Sequence, residues 1–329
     1  MRKRAAILRQ DTLFLVRKSF VEALLGCAFC ATIFSNILQK QCKKNCCEKV
    51  LKNDEISTIF RHGVGKNAKK GDLLDIMARK IVVTSGKGGV GKTTVCANLG
   101  IALAQKSLRV LLMDLDIGLN NLDVVMHVED KVVFDFVDVV ETRCRPSQAL
   151  IQCENEPTLY VMPSCHIAKR QINADAVKKV VSRLDDNFDY ILIDCPAGID
   201  GGFRRAISCA DEAIVVVTPH LSSVRDADKT ITALSDFPVN IVINRVRGDL
   251  VASGEMLSAF EIFSILGHTP LGIIPENDDV NCNLHLQQNF RAFDMLANNL
   301  QTGTFDVYDC VSPYTGIFGK MKRRLKRNV

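Results

Sequence analysis

The sequence predicts an α/β fold: a doubly wound, mostly parallel sheet of the P-loop NTPase class. Three observations carry this expectation. Residues 80–94 read KIVVTSGKGGVGKTT, a β-branched run leading into G-x-x-x-x-G-K-[ST] and then into a helical pattern. Short, nearly continuous apolar runs recur at 110–113, 159–162, 190–193, 213–217, 239–243 and 271–274 with helical patterns between them, as expected for strands buried on both faces. Two of these runs end in an acid, Asp114 and Asp194, at the carboxyl ends of strands where open α/β sheets take their ligands.

The first strand, from Ile81, feeds the phosphate cradle. Gly86, Gly88, Gly89 and Gly91, with Val90 between them, allow backbone N–H groups to wrap a polyphosphate without Cβ clashes. The helix that opens near Thr93 and Thr94 adds its positive end at the same point. Lys92 is placed to reach the β- and γ-phosphates, and Thr93 to ligate Mg²⁺. Lys87 adds a cation that an ordinary P-loop does not need.

The second apolar run ends in Asp114-Leu115-Asp116. Carboxylates at alternate positions on one strand face suit a magnesium shell and a polarised water. Asp194 closes the run 190–193 in the Walker B arrangement and is expected to hold Mg²⁺ through water. The turn after it, Cys195-Pro196-Ala197-Gly198-Ile199, can sense a γ-phosphate by a backbone N–H. Cys195 reads as a packed thiol, because no histidine neighbours it in sequence. After the run 239–243, a guanine reader would show N-K-x-D; Asn244-Arg245-Val246-Arg247 lacks the acid, so adenine is preferred. Ser222 and the acids Asp226 and Asp228 read as a capped helix start, and His220 as a solvated surface residue.

Composition bounds the rest. At 329 residues and 47% hydrophobic content, the chain can hold one large α/β domain or two small ones. A net charge of +5 does not by itself argue for nucleic acid. The thirteen cysteines include singles inside core patterns (Cys96, Cys195, Cys209), which points to reduced thiols. Residues 1–76 differ from the remainder of the chain: a basic start, an apolar run at 23–34 too short to span a membrane, and a lysine-rich end. Cys27 and Cys30 form one C-x-x-C that fits no zinc module, and Gly63-Val64-Gly65-Lys66 lacks the rest of a P-loop. This region is expected to be an extension ahead of an ATPase domain at 77–312: a targeting segment, a lineage-specific addition or an upstream misassigned start.

The final segment, 313–329, carries its own signal. At helical spacing Ile317, Phe318, Met321 and Leu325 gather on one face, with Tyr314 and Val329 beside them, while six Lys and Arg residues fill the rest without an acid. Such a helix is expected to lie on an anionic membrane surface, with a nucleic-acid-binding tail or a solvated tail as the alternatives. Each basic residue there contributes about 1 kcal/mol, so one copy binds weakly and two copies together bind firmly.

The loop KGGVGKT resembles the deviant Walker A ATPase family, whose members partition chromosomes and plasmids or place the division septum. The switch D-L-D-I-G-L-N-N-L-D at 114–123, D-C-P-A-G-I at 194–199 and S-S-V-R-D-A-D at 222–228 resemble the septum-placing branch. The resemblance covers residues 77–329. It implies an ATP-dependent homodimer with Lys87 crossing to the partner's phosphates, Asp116 positioning the attacking water, and Asp114 supporting the magnesium side. It also implies base recognition at Asn244 and Arg245, with Pro275 and Glu276 in the turn beside the adenine. The implied setting is the cytoplasmic face of the cell membrane, or an organelle equivalent. The implied partners are a MinC-like division inhibitor and a MinE- or DivIVA-type topological regulator, with no nucleic acid. Asn120, His220 and Asn277 depart from the arginine, glutamate and aspartate of that branch, and the region 280–288 is shortened. A DNA-binding partition ATPase and a flagellar-number regulator of the same branch stand as alternatives.

Overall fold

In the computed structural model of the chain, every expected strand forms, and residues 77–118, 121–165, 172–276, 290–316 and 319 are described. These lie within the unit Ala68–Val329. The strands are β1 (Arg79–Thr84), β2 (Val110–Asp114), β3 (Ile151–Cys153), β4 (Glu156–Met162), β5 (Tyr190–Asp194), β6 (Glu212–Val217), β7 (Val239–Val246) and β8 (Pro270–Pro275). They form one sheet in the order β3-β4-β2-β5-β1-β6-β7-β8. All pairs are parallel except β3 with β4. The sequence reading missed β3, a three-residue edge strand that runs from half-buried Ile151 through exposed Gln152 to buried Cys153 and so lacks a continuous apolar run.

The central strands carry nearly continuous apolar runs because both faces are covered. Ile81, Val83, Val110, Leu112 and Leu192 enter one core, whereas Val82, Leu111, Met113, Ile191 and Ile193 enter the other. The alternation follows from the two-residue period of a strand. Helices α1 (Lys92–Ala104) and α9 (Phe290–Thr302) serve the first core. Between them in sequence come α2 (Leu122–Val125), α3 (Phe136–Val140), α4 (Ala174–Ser182), α5 (Gly201–Ile207), α6 (Leu221–Ala233), α7 (Gly248–Ser253) and α8 (Ala259–Leu266). Of these, α3, α4, α5, α6 and α8 bury residues in the second core.

Helix ends carry a contrast that matters for function. Asp135, Asn173 and Ser258 cap α3, α4 and α8 with their side chains. Helix α1 starts at Gly91, in the left-handed region at φ 90°, with no side-chain cap. Its first N–H groups are therefore available to an anion. The expected serine cap of α6 is corrected: His220 occupies the N-cap and makes no side-chain cap, and the first turn has no acid. Ser223 Oγ instead accepts from the Thr218 N–H at 3.1 Å, tying the helix back to the end of β6.

Candidate functional site

Strand order brings the candidate residues to one end of the sheet. β1 is central, between β5 and β6, so the loop after it lies beside the acid that ends β5. Asp114 and Asp194 are register partners at the ends of β2 and β5. Both are buried. Thr93 Oγ1 donates to Asp194 Oδ2 at 2.6 Å, while Asp194 Oδ1 is buried with no hydrogen-bond partner among the described residues. An orphaned carboxylate oxygen beside a hydroxyl and a second carboxylate is a donor set of hard oxygens that fits Mg²⁺.

The electrostatics agree. Burial pushes Asp114 up to about 7, the facing Asp194 carboxylate adds to the rise, and hydrogen bonds from the amides of Asp116 and Leu122 oppose it. Burial likewise raises Asp194 to about 6, with the Lys92 ammonium and the Thr93 hydroxyl holding it down. Two buried acids kept reluctant to ionise together form a site that a cation would discharge. Asp116 is half-buried, and its carboxyl is raised by that burial against the pull of Lys92.

Asp114 also braces the loop after β2. Its Oδ1 accepts from the Asp116 N–H at 2.8 Å and its Oδ2 from the Leu122 N–H at 3.2 Å. The acid thus holds both ends of the segment that carries Asp116, a role that the sequence reading did not assign. Asn120 and the neighbouring Leu119 lie outside the described residues.

On the other side of the loop a cleft of about 450 Å³ opens. Lys87, Gly88, Gly89 and Val90 form one wall, and Thr218, His220, Ser222, Ser223, Arg245 and Glu276 the rest. Its size suits a small organic ligand. Lys87 is exposed, Lys92 is buried at the base of α1, and Thr94 is half-buried beside it. Asn244 is buried, and its Nδ2 donates to the Val90 carbonyl at 2.8 Å. In this structure it braces the P-loop, a contact that the sequence did not signal. A Cβ at Gly91 would strike that same amide, so glycine is required there by space as well as by φ. Arg245 sits in the left-handed region at φ 60° where β7 loses register with β8. A strained non-glycine backbone at a cleft wall is the kind of feature that binding sites retain. Pro275 pairs with Val246, and the Glu276 N–H donates to the Val246 carbonyl at 3.0 Å; Asn277 lies outside the described residues.

Switch-like turns are tied to the loop by Ser85, which no motif identified. Its carbonyl accepts from the Gly198 N–H at 3.0 Å and its Oγ donates to the Lys87 carbonyl at 2.8 Å. The Gly198 amide is thus already engaged and is not free for a phosphate in this structure. Cys195 is buried, and burial pushes its thiol up to about 12, the opposite of an activated nucleophile. Among the described residues Cys96, Cys195 and Cys209 are buried free thiols, as expected. His220 is exposed as expected, and it also faces the cleft. Ile317, Phe318, Met321 and Leu325, expected to face a membrane, lie outside the described residues, as do the C-x-x-C and the incomplete P-loop at 63–66.

Comparison with known proteins places this geometry. Residues 78–240 match the family described as an AAA domain. The septum site-determining protein MinD of Bacillus subtilis is 47% identical over 195 residues, covering 57% of this chain and 73% of that protein. The chain belongs to the MinD family. Among solved structures, the MinC:MinD cell division protein complex of Aquifex aeolicus is similar with a TM-score of 0.65 and 36% identity, covering 70% of this chain and 99% of that one. MinD of Pyrococcus horikoshii, complexed with Mg-ADP, is similar with a TM-score of 0.61 and 27% identity over 68% of this chain and 96% of that one. The eight-stranded sheet is that of the MinD and ParA P-loop NTPases. The protein is accordingly a MinD-type cell division ATPase with an ATP-binding P-loop.

Proposed function

We propose that this chain places the division septum as a nucleotide-dependent dimer that binds membrane reversibly. The observation that carries the reading is the pairing at the strand ends: Asp194 has one oxygen on Thr93 and one without a hydrogen-bond partner among the described residues, opposite Asp114 and in the field of Lys92. Bound Mg²⁺ and ATP supply a scissile phosphoanhydride and the cation that offsets its charge. The chain's own groups do the rest. The uncapped start of α1 and the amides of 86–91 cradle the phosphates, Lys92 draws in the β- and γ-oxygens, and Thr93, Asp194 and Asp114 hold the cation side. Asp116 orients the attacking water and accepts the proton that it loses. Asn244 and Arg245, with Pro275 and Glu276, form the base end of the cleft. The relative solved with Mg-ADP supports the cation and nucleotide together.

Lys87, exposed at the cleft mouth, is free to reach a second copy's phosphates. Dimerisation then doubles the C-terminal segment, and two weak lipid contacts become one firm contact on the cytoplasmic leaflet. Hydrolysis returns the chain to monomer and frees it. The MinC:MinD relative supports a MinC-like inhibitor as cargo, and a MinE- or DivIVA-type regulator completes the cycle. Residues 1–76 are proposed as an extension, 77–312 as the ATPase domain and 313–329 as the membrane helix.

Co-sedimentation tests the reading. The full chain is incubated with phosphatidylglycerol-containing vesicles or with duplex DNA, in Mg²⁺ with ATP or with ADP. Vesicle pelleting with ATP alone is expected, and Phe318→Glu is expected to abolish it without loss of nucleotide binding. ATP-dependent pelleting with DNA and none with vesicles would transfer the chain to the partition class.

A further inference from the structure

Helix α8 presents an apolar surface that the fold does not use. Its inward side is complete: Ile262 is fully buried and Leu266 nearly so, both in the core beneath. Phe260 is nevertheless 75% exposed and Phe263 38% exposed. At about 100° per residue these two rings sit side by side on one outward flank. The helix is otherwise well built for water, with a capping box at its start and Gly267 in the left-handed region at its end. Its one acid is occupied by that box: Glu261 Oε2 accepts from Ser258 N–H and Oγ, both at 2.7 Å. Two adjacent phenylalanines on a short, capped helix leave an apolar patch outside the core.

Where the chain leaves the domain decides the occupant. The 3-10 turn Ser312–Tyr314 precedes the C-terminal segment and packs on α7: a Cβ at Gly248 would run into the Cys310 carbonyl and lie 3.2 Å from the Tyr314 ring. Helix α7 passes through the loop 254–258 directly into α8. The root of the cationic segment therefore packs on the helix that a short loop joins to the phenylalanine pair. Residues 317–329 would span about 20 Å even as a continuous helix. A segment that short, lying on headgroups, holds its own root and the elements next to it against the membrane surface. Phenylalanine belongs at that depth, because its ring is apolar and has no polar group to strand.

We infer that Phe260 and Phe263 of α8 form a second lipid contact, inserting beside the C-terminal segment when the chain docks on an anionic bilayer. The inference rests on the membrane binding proposed for this chain. It adds that the domain has a fixed orientation on the bilayer and is not suspended from a flexible tether.

The chain contains no tryptophan, so single reporters can be read without background. Phe260→Trp and, separately, Phe318→Trp in the full chain are mixed with Mg²⁺, ATP and vesicles of phosphatidylglycerol and phosphatidylcholine, with and without brominated acyl chains. Both reporters are expected to shift to the blue and to be quenched by the brominated lipid. A response at position 318 with none at 260 overturns the inference and leaves the membrane reading standing. Silence at both overturns the two together. A blue shift at 260 with nucleotide but without vesicles assigns the surface to a second copy and also overturns it. As an independent arm, Phe260→Ser with Phe263→Ser is expected to weaken vesicle binding about tenfold at unchanged ATP binding; unchanged vesicle affinity counts against the contact.

Discussion

At the scale of the residue, the site is a set of charges that oppose one another until a ligand arrives. Asp114 and Asp194 are held above the ordinary carboxylate range, first by burial. That burial sets the sign of the pH dependence. Between about pH 4 and pH 7 the folded ligand-free chain keeps a proton that the unfolded chain has lost, so stability falls as pH rises through that window. Thermal melts without Mg²⁺ are expected to drop by several degrees from pH 5 to pH 8. Asp194→Asn is expected to flatten that slope while removing Mg²⁺-dependent hydrolysis, a gain in stability at the cost of function. Lys92→Ala should lose nucleotide binding, read by calorimetry. Asp116→Ala should keep ATP bound while hydrolysis falls by on the order of 10² or more, in single-turnover assays. A variant at 116 that hydrolyses ATP normally would return the positioning of water to another group.

At the scale of the element, the phosphate loop is fitted between α1, α6 and the end of β7. Gly86 is the tight point: a Cβ there would overlap the backbone of Asp226 and Ala227 in α6, which has no flexible end to yield. Gly88 faces open space. Gly86→Ala is therefore expected to lose about 1–3 kcal/mol in urea melts and to weaken nucleotide binding, because the loop can accept the methyl only by moving off α6. Gly88→Ala is expected to leave the melt almost unchanged. Equal losses from the two variants would mean that the contact with α6 does not set the loop. Helix α6 itself shows how local rules yield to packing: its serines look like caps, yet Ser223 serves the Thr218 amide.

At the scale of the whole molecule, function depends on what two copies do that one cannot. Lys87 stands exposed at the cleft mouth, where a second copy can approach it. Lys87→Ala is expected to bind ATP and yet sediment as a monomer in the presence of Mg²⁺ and ATP, with vesicle binding lost in parallel. An ATP-dependent dimer of normal mass in that variant would remove Lys87 from the interface. The N-terminal 76 residues are expected to be dispensable for both steps, which a chain starting at Met77 tests by the same sedimentation.

The sequence by itself determined the parts of this protein that local chemistry controls. Runs such as 81–83 and 190–193 are apolar at every position because they are covered on both faces, and glycines with Lys92 and Thr93 at fixed spacing can serve little but a phosphate. These features are written in neighbouring residues, so periodicity and motif expose them. Tertiary structure alone decided the rest, because it depends on which distant residues the sheet order brings together. Asp114 faces Asp194 only because β2 pairs with β5, Asn244 grips Val90 only because β7 ends behind the loop, and Ser85 meets Gly198 only because β1 pairs with β5. The short edge strand β3 and the bared phenylalanines of α8 likewise had no local signature: pairing partners make the first a strand, and a core already filled by Ile262 and Leu266 leaves the second outside.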